Sequence, residues 1–336
     1  MELIDNAARE ELLSRCVNVN EVTNIYEFQQ HNWCKEFKEI DESFANGYPG
    51  IALVSSVNKW SLLNKLIDRN LIDCGLHLRG FHMGRGLPIF LALKTNVCSI
   101  DYQSYLHSSK ITIQDKYDIY HGAAGDLLTT SVLRRSTDGY DSELKELERT
   151  QFEWLTNYLD DSFPREIGYA HGALGMAYAL LNSNLISKRS TELIEFIVLK
   201  GMYALETTNN YAVCSGPIAA LVLSKIGANL FNESFHSAST EICLYILERI
   251  ESNLEKAPLN LCCGVFGVID ALMIFSSIGE NKKVTSGLID LVSKIDKSSY
   301  SHMMDTGLFF GVSGPAHILE QIRNPALSRI SFMFPS

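Results

Sequence analysis

The fold of this chain is decided by a short pattern that is clearest at residues 171–181, where the sequence reads His171-Gly-Ala-Leu-Gly-Met-Ala-Tyr-Ala-Leu-Leu181. A small or polar residue precedes Gly-x-x-Gly, and an apolar run follows it. The other copies are Gly47-Tyr-Pro-Gly50, Gly122-Ala-Ala-Gly125, Gly264-Val-Phe-Gly267 and Gly311-Val-Ser-Gly314, with variants at Gly216-Pro-Ile-Ala219 and Met83-Gly-Arg-Gly86. Successive copies begin 36 to 50 residues apart, and a repeat of that length accommodates two helices and two turns.

Two kinds of helix alternate between these motifs. Residues 141–160 and 236–254 carry apolar residues at three-and-four spacing, which predicts helices with one buried face. The segments that follow the glycines, at 176–181, 219–223 and 268–275, are apolar nearly all round, which predicts helices surrounded by protein. We therefore predict an all-α fold, an α/α toroid of seven inner and seven outer helices. Residues 1–336 are expected to form a single domain, with 1–40 as an N-terminal helical segment packing on the barrel.

Composition excludes several classes of protein. The chain has 336 residues, of which 46% are hydrophobic and 20% charged, which excludes disordered, collagen-like and disulfide-stapled proteins. A net charge of −10 with scattered basic residues argues against nucleic-acid binding. Acidic residues stand where a secretory signal would need a basic patch. We expect no transmembrane segment. We also expect a cytoplasmic protein, either free or peripheral to a membrane-associated biosynthetic complex.

Polar residues collect just ahead of the glycines, a position that the repeat places at one rim of the barrel. Asp118 and His121 precede Gly122, and His171 precedes Gly172. Cysteines take this place in two later repeats, where Cys214 and Cys262 share one register and Cys263 follows directly. Three thiols near the N-termini of inner helices suit zinc and leave a fourth position open. The spacing alone leaves a second interpretation, that of buried packing thiols.

The remaining cysteines and most histidines do not share this register. Packing is the expected role of five thiols, namely Cys16, Cys34, Cys74, Cys98 and Cys243. Structural or surface roles are expected for His31, His77, His107, His236, His302 and His317.

The ordered motifs Tyr117-Asp-Ile-Tyr-His-Gly122, Gly168-Tyr-Ala-His-Gly172, Cys214-Ser-Gly216 and Cys262-Cys-Gly264 resemble the lanthionine synthetase C-like family. The resemblance implies an α/α toroid with one central zinc. It also implies cyclisation of a peptide by addition of cysteine thiols to dehydroalanine or dehydrobutyrine, giving lanthionine or methyllanthionine. Matched by position, Cys214, Cys262 and Cys263 would hold the zinc. His171 would act as acid or base with Asp118 beside it, and His121 is a secondary candidate.

The chain departs from the family at two positions near the expected metal. Ser215 stands where many members have tyrosine, and Asn210 stands where many have arginine. The third ligand, Cys263, is histidine in many members, and an all-cysteine site is similar to the cyclase domains of some bifunctional synthetases. Seven repeats leave no room for a fused dehydratase in this chain. The implied partners are therefore a dehydrated precursor peptide with its leader, a separate dehydratase and an exporter.

Three other functions stay open at this stage. A glutathione-binding or glutathione-transferring relative would resemble the version with a Cys-Cys-His site. A non-catalytic, zinc-stabilised scaffold would bind peptides for a partner enzyme, but it would not need His171 and Asp118. A glycan-processing α/α barrel would need two rim carboxylates, and only Asp118 is well placed.

Overall fold

A computed structural model describes residues 80–82, 84–95, 102–109, 116–136, 141–230, 234–276 and 281–295, with residues 309, 314, 315, 317, 318 and 321. The described part is helical and contains no strand. None of its helices is both long and apolar enough to span a bilayer. The glycine motif at 47–50 and the segment 1–40 lie outside the described residues.

Inner and outer helices alternate along the chain. The inner helices are α1 (Gly86–Thr95), α3 (Ala123–Ser136), α5 (Ala173–Leu181), α7 (Ala219–Ile226) and α9 (Val265–Ser276). The outer ones are α2 (Tyr102–Ser108), α4 (Asp141–Asp161), α6 (Lys188–Thr207), α8 (Ser234–Glu251) and α10 (Lys282–Lys294), and a 3₁₀ helix (Leu254–Lys256) follows α8. Each of these inner helices packs against the next, and outer helices cover them. The prediction of an all-α, α/α toroid is confirmed, and the described residues at 314, 315, 317, 318 and 321 are helical as well.

Burial follows the two hydrophobic patterns. In α5 every residue from Ala173 to Leu180 is buried, because small side chains let neighbouring inner helices approach closely. The outer helix α6 instead buries one face, including Ile194, Val198 and Leu205. It begins at Ser187, whose hydroxyl accepts a hydrogen bond from the Ser190 N–H, the usual way of satisfying a free amide at a helix start.

The helix predicted over 236–254 differs at both ends from α8, which begins at Ser234. The apolar pattern predicted a helix to residue 254, whereas α8 ends at Glu251. The Asn253 side chain donates a hydrogen bond of 3.0 Å to the Arg249 carbonyl. This side-chain bond takes over an acceptor that the next helical turn would have used, so the chain turns away before the apolar pattern ends.

Backbone hydrogen bonds join the loops that precede the inner helices. The bonds run from Phe81 N to Ile119 O (2.8 Å), Tyr169 N to Val213 O (3.1 Å), Val213 N to Cys262 O (3.0 Å) and Cys262 N to Phe309 O (3.0 Å). The ring of His82, in the first described loop, lies 5.6 Å from the ring of Phe309, in the last. The described loops therefore close around one centre at this rim of the toroid.

In three of the motifs the second glycine, Gly125, Gly175 or Gly267, lets a helix start directly beneath its own loop. A Cβ atom at Gly175 would collide with the carbonyl oxygen of Tyr169, and one at Gly267 would collide with that of Leu261. Both obstacles are backbone atoms, which cannot move aside as a flexible side chain can. These glycines thus fix how close each rim loop lies to its inner helix.

We predict that Gly175→Ala destabilises the protein by about 1–3 kcal/mol or more, the cost of overpacking against a fixed neighbour. Gly287→Ala is the matched control, because its Cβ would lie 2.8 Å from Cδ1 of the flexible Leu247 side chain. Within a helix, alanine is also more favourable than glycine by about 1 kcal/mol, which offsets crowding at residue 287. Urea unfolding of both variants checks the prediction, and equal losses of stability would contradict it.

Candidate metal centre

Two neighbouring rim loops bring the three predicted thiols together. Cys214 lies in the loop between α6 and α7, and Cys262 and Cys263 lie in the loop ahead of α9. The amides of Val213 and Cys214 both donate to the carbonyl oxygen of Cys262, at 3.0 and 3.2 Å. The shared register of Cys214 and Cys262 therefore corresponds to direct contact between their loops.

The sulfur atoms form a compact cluster at the rim. Cys214 Sγ lies 3.2 Å from Cys263 Sγ, and all three sulfur atoms lie within 4.8 Å of one another. Cys262 is buried, Cys214 half-buried and Cys263 exposed. Access to the cluster is thus from the side of Cys263.

The donor set fits a zinc ion. Sulfur ligands about 2.3 Å from a tetrahedral zinc lie about 3.8 Å apart, which the observed spacing allows. Hydrogen bonds from Cys262 and Cys263 lower the pKa of the Cys214 thiol, whereas their bonds to Cys214 raise the pKa of the other two. Without a cation the cluster therefore favours one thiolate over three, and a divalent ion would supply the missing positive charge.

A second polar group lies at the same rim. Asp118 Oδ2 is 3.4 Å from His171 Nδ1, and Asp118 Oδ1 accepts a hydrogen bond of 2.6 Å from the His121 N–H. The rings of His121 and His171 are stacked, with centroids 5.7 Å apart. One potential metal-ligand atom from each of Asp118, His121 and His171 also lies within 4.8 Å of the others. Both carboxylate oxygens of Asp118, however, already contact the two histidine residues.

The contacts of Asp118 set the protonation of both histidines. The hydrogen bond to Asp118 raises the pKa of His171 against the opposing effect of burial. Burial lowers the pKa of His121, which Asp118 only partly offsets. Burial would raise the pKa of Asp118, but its bonds from His171 and His121 lower it overall. His171 is thus the histidine that stays protonated further into the neutral range.

Tyr120 is buried beside His171 and was not selected from the sequence. Its ring centroid is 5.4 Å from that of His171. Burial, and then negative charge on the three thiols, raise its pKa well above the usual value, so the hydroxyl stays protonated. Tyr120 precedes His121 in the quoted motif, and only the tertiary structure places its ring beside those of His82, His171 and Phe309.

His82 is a second residue that sequence reasoning missed. It directly precedes the variant motif Met83-Gly-Arg-Gly86, as His171 precedes its own, and this shared position is the signal that could have found it. Its Nε2 lies 3.2 Å from the Tyr169 hydroxyl, and complete burial lowers its pKa to about 3. The ring is therefore neutral and packs at the centre of the loops.

Asn210 and Ser215, the two residues that depart from the family pattern, are hydrogen-bonded to each other. Asn210 Nδ2 donates a hydrogen bond of 3.1 Å to Ser215 Oγ, and Asn210 Oδ1 accepts one of 3.0 Å from the Ala212 N–H. The pair therefore fixes the loop that carries Cys214. Neither side chain offers a positive charge or a phenol to the cluster.

The other predicted residues lie away from this rim or outside the described chain. Cys243 is buried in α8, where burial raises its pKa. His107 is exposed and His317 is half-buried beside Gln321. The side chain of His236 and the residues Cys16, Cys34, Cys74, Cys98, His31, His77 and His302 are not among those described.

Comparisons with known proteins bear on the fold and on the family. A solved structure described as "Nisin cyclase" matches with a TM-score of 0.63 over 91% of this chain and 94% of that chain, at 17% sequence identity. This likeness concerns the fold. A search of curated protein sequences finds no match. The family model for lanthionine synthetase C-like proteins matches residues 80–335, which includes both polar groups of the rim, and the chain belongs to the lanthionine synthetase C-like family.

Proposed function

We propose that this chain is a zinc-dependent lanthipeptide cyclase, which adds cysteine thiols of a dehydrated peptide to dehydroalanine or dehydrobutyrine. The observation that supports it most directly is the placement of three clustered thiols and an Asp118–His171 pair at one rim. A metal cluster alone would suit a scaffold, whereas thiol addition needs both a bound thiolate and a source of protons. The precursor peptide, a separate dehydratase and an exporter are the partners that this proposal implies.

Three side chains would hold the metal, namely Cys214, Cys262 and Cys263. Zinc bound there would keep a substrate thiol in its thiolate form at neutral pH. The exposed position of Cys263 leaves that side of the cluster open to an incoming peptide.

Proton transfer falls to His171 in this proposal. When the substrate sulfur bonds to the β-carbon, the electron pair of the double bond moves toward the α-carbon and its carbonyl. The α-carbon then takes a proton from His171, and the proton released by the substrate thiol restores the imidazolium. Because Nδ1 faces Asp118 at 3.4 Å, Nε2 is the nitrogen that remains for this transfer.

Asp118 positions His171 and supports its charge. The His121 N–H donates a hydrogen bond to Oδ1 of Asp118. This bond fixes the orientation of the carboxylate, and with it the position of Oδ2, which faces His171. Tyr120 adds a buried hydroxyl beside the thiols, where it remains protonated.

We predict that Cys214→Ala and Cys262→Ala lose zinc, because two thiols hold the ion far more weakly than three. Cys243→Ala removes a buried thiol from α8 and should keep a full equivalent of metal. Elemental analysis of the purified proteins measures the result. Full zinc content in the first two variants would contradict the ligand assignment.

We predict that His171→Asn keeps its zinc and forms rings about 10²–10⁴-fold more slowly, the usual effect of losing a positioned acid or base. His121→Asn should have a smaller effect, because the His121 ring lies farther from the Asp118 carboxylate than the His171 ring does, at 3.7 Å against 3.4 Å. Mass spectrometry after thiol alkylation follows ring formation in a dehydrated, cysteine-containing peptide. Loss of zinc in His171→Asn would identify that histidine as a ligand instead.

We predict that Asp118→Asn moves the alkaline limit of the rate to lower pH. A general acid works in its protonated form, so the rate falls as the pH rises through the pKa of His171. Asp118 raises that pKa, and its removal lowers it. Glu166→Gln is the control, since Glu166 raises the same pKa only through a weaker charge effect. An unchanged pH profile in Asp118→Asn would exclude this role.

A further inference from the structure

A cavity opens next to the thiol cluster. It has a volume of about 480 Å³ and lies between the loop ahead of α7, the end of α8, the 3₁₀ helix and Cys263. This volume is within the range of roughly 300–1,000 Å³ that is typical of ligand pockets. Because Cys263 belongs to both the cluster and the cavity wall, a peptide whose thiol reaches the cluster would place its neighbouring residues at the cavity.

The wall of this cavity is positively charged in an otherwise acidic protein. Arg249, in the last turn of α8, and Lys256, in the 3₁₀ helix, both line it, and no acidic residue does. Within the described part of the chain, neither has an ion-pair partner. The net charge of the protein is −10, so two unpaired cations on one wall are a local exception.

A buried hydroxyl adds a further donor to the same wall. Tyr211 is 8% exposed and lines the cavity, and its hydroxyl is shielded from solvent with no partner at hydrogen-bond geometry among the described residues. The hydroxyl nevertheless lies close enough to the Arg249 guanidinium to interact with it, and Arg249 also interacts with Tyr245. Arg249 therefore has hydroxyl groups beside it, but among the described residues no carboxylate pairs with Arg249 or Lys256. Two cations beside a phenol, with no acidic partner, are an arrangement that a carboxylate satisfies.

We propose that this cavity binds a carboxylate of the peptide substrate, carried by an aspartate or glutamate within a few residues of the reacting cysteine. The inference rests on the proposed cyclase function and adds to it a preference among substrates. Cysteines flanked by acidic residues would be held longer at the cluster, and so would be cyclised at lower peptide concentration.

Binding of two matched peptides tests the proposal with the full-length, zinc-loaded protein. Each peptide is fluorescently labelled, amidated at its C-terminus and free of dehydro residues, and the two differ only in Asp or Asn next to the cysteine. We expect Arg249→Gln and Lys256→Gln each to weaken binding of the Asp peptide about fivefold by fluorescence anisotropy. That change is the loss of about 1 kcal/mol, a charged contact at a partly open site. Binding of the Asn peptide should change less than twofold.

Two exposed cations outside the cavity provide matched controls. Arg149→Gln and Lys188→Gln remove the same charges from α4 and α6, and neither should alter the binding of either peptide. Equal affinity of the unmodified protein for the Asp and Asn peptides, including no binding of either, would overturn the carboxylate site. Tighter, Arg249-dependent binding of glutathione than of the Asp peptide would also overturn it, by assigning the cavity to a small thiol.

Ring formation on dehydrated versions of the same peptides separates the two proposals. If the protein cyclises both peptides with equal kcat/KM and equal response to Arg249→Gln, the cyclase stands and the carboxylate site fails. If Arg249 controls binding of the Asp peptide but no ring forms on any peptide, the carboxylate site stands and the cyclase fails.

Discussion

The hydrogen bonds between successive rim loops are the constraint on which the rest of this structure depends. They join loops that are about 50 residues apart in sequence, as between Val213 or Cys214 and the carbonyl of Cys262. Three of these loops also lie tightly on their own inner helices, because Gly125, Gly175 and Gly267 leave no room for a side chain. The positions just ahead of the glycines are thereby fixed side by side, with no strand to align them among the described residues.

The rim carries two polar groups that differ in charge, namely the thiol cluster and Asp118 with its two histidines. Without a cation the thiol cluster favours a single thiolate at Cys214, as the opposed pKa shifts of its members indicate, and a divalent ion would favour deprotonation of all three. The neighbouring carboxylate of Asp118 instead retains a proton on His171. Tyr120 lies beside His171 and stays neutral because it is buried near several negative groups. A bound thiolate and a protonated imidazole at one opening are the two requirements of thiol addition to an activated double bond.

The replacement of two side chains near the thiols has a structural counterpart. Asn210 and Ser215 stand where arginine and tyrosine are common. They bond to each other, and the Ser215 hydroxyl also accepts a hydrogen bond of 3.8 Å from the Cys214 thiol. Asn210 also lines the cavity next to the cluster, where Arg249 and Lys256 supply positive charge. Those two residues belong to an outer helix and a 3₁₀ helix, outside the glycine motifs.

The sequence by itself determined the helical class, the alternation of inner and outer helices and the candidate ligands, because all of these follow from periodicity and from a shared register. Cys214 and Cys262 could be paired from the sequence since equivalent positions in adjoining repeats become neighbours. The sequence did not determine the end of α8, where the Asn253 side chain competes with the apolar pattern, nor the placement of His82 and Tyr120 at the centre of the loops. Only the tertiary structure decided these points and the position of Arg249 beside Cys263, because contacts between different layers of the toroid have no fixed spacing along the chain.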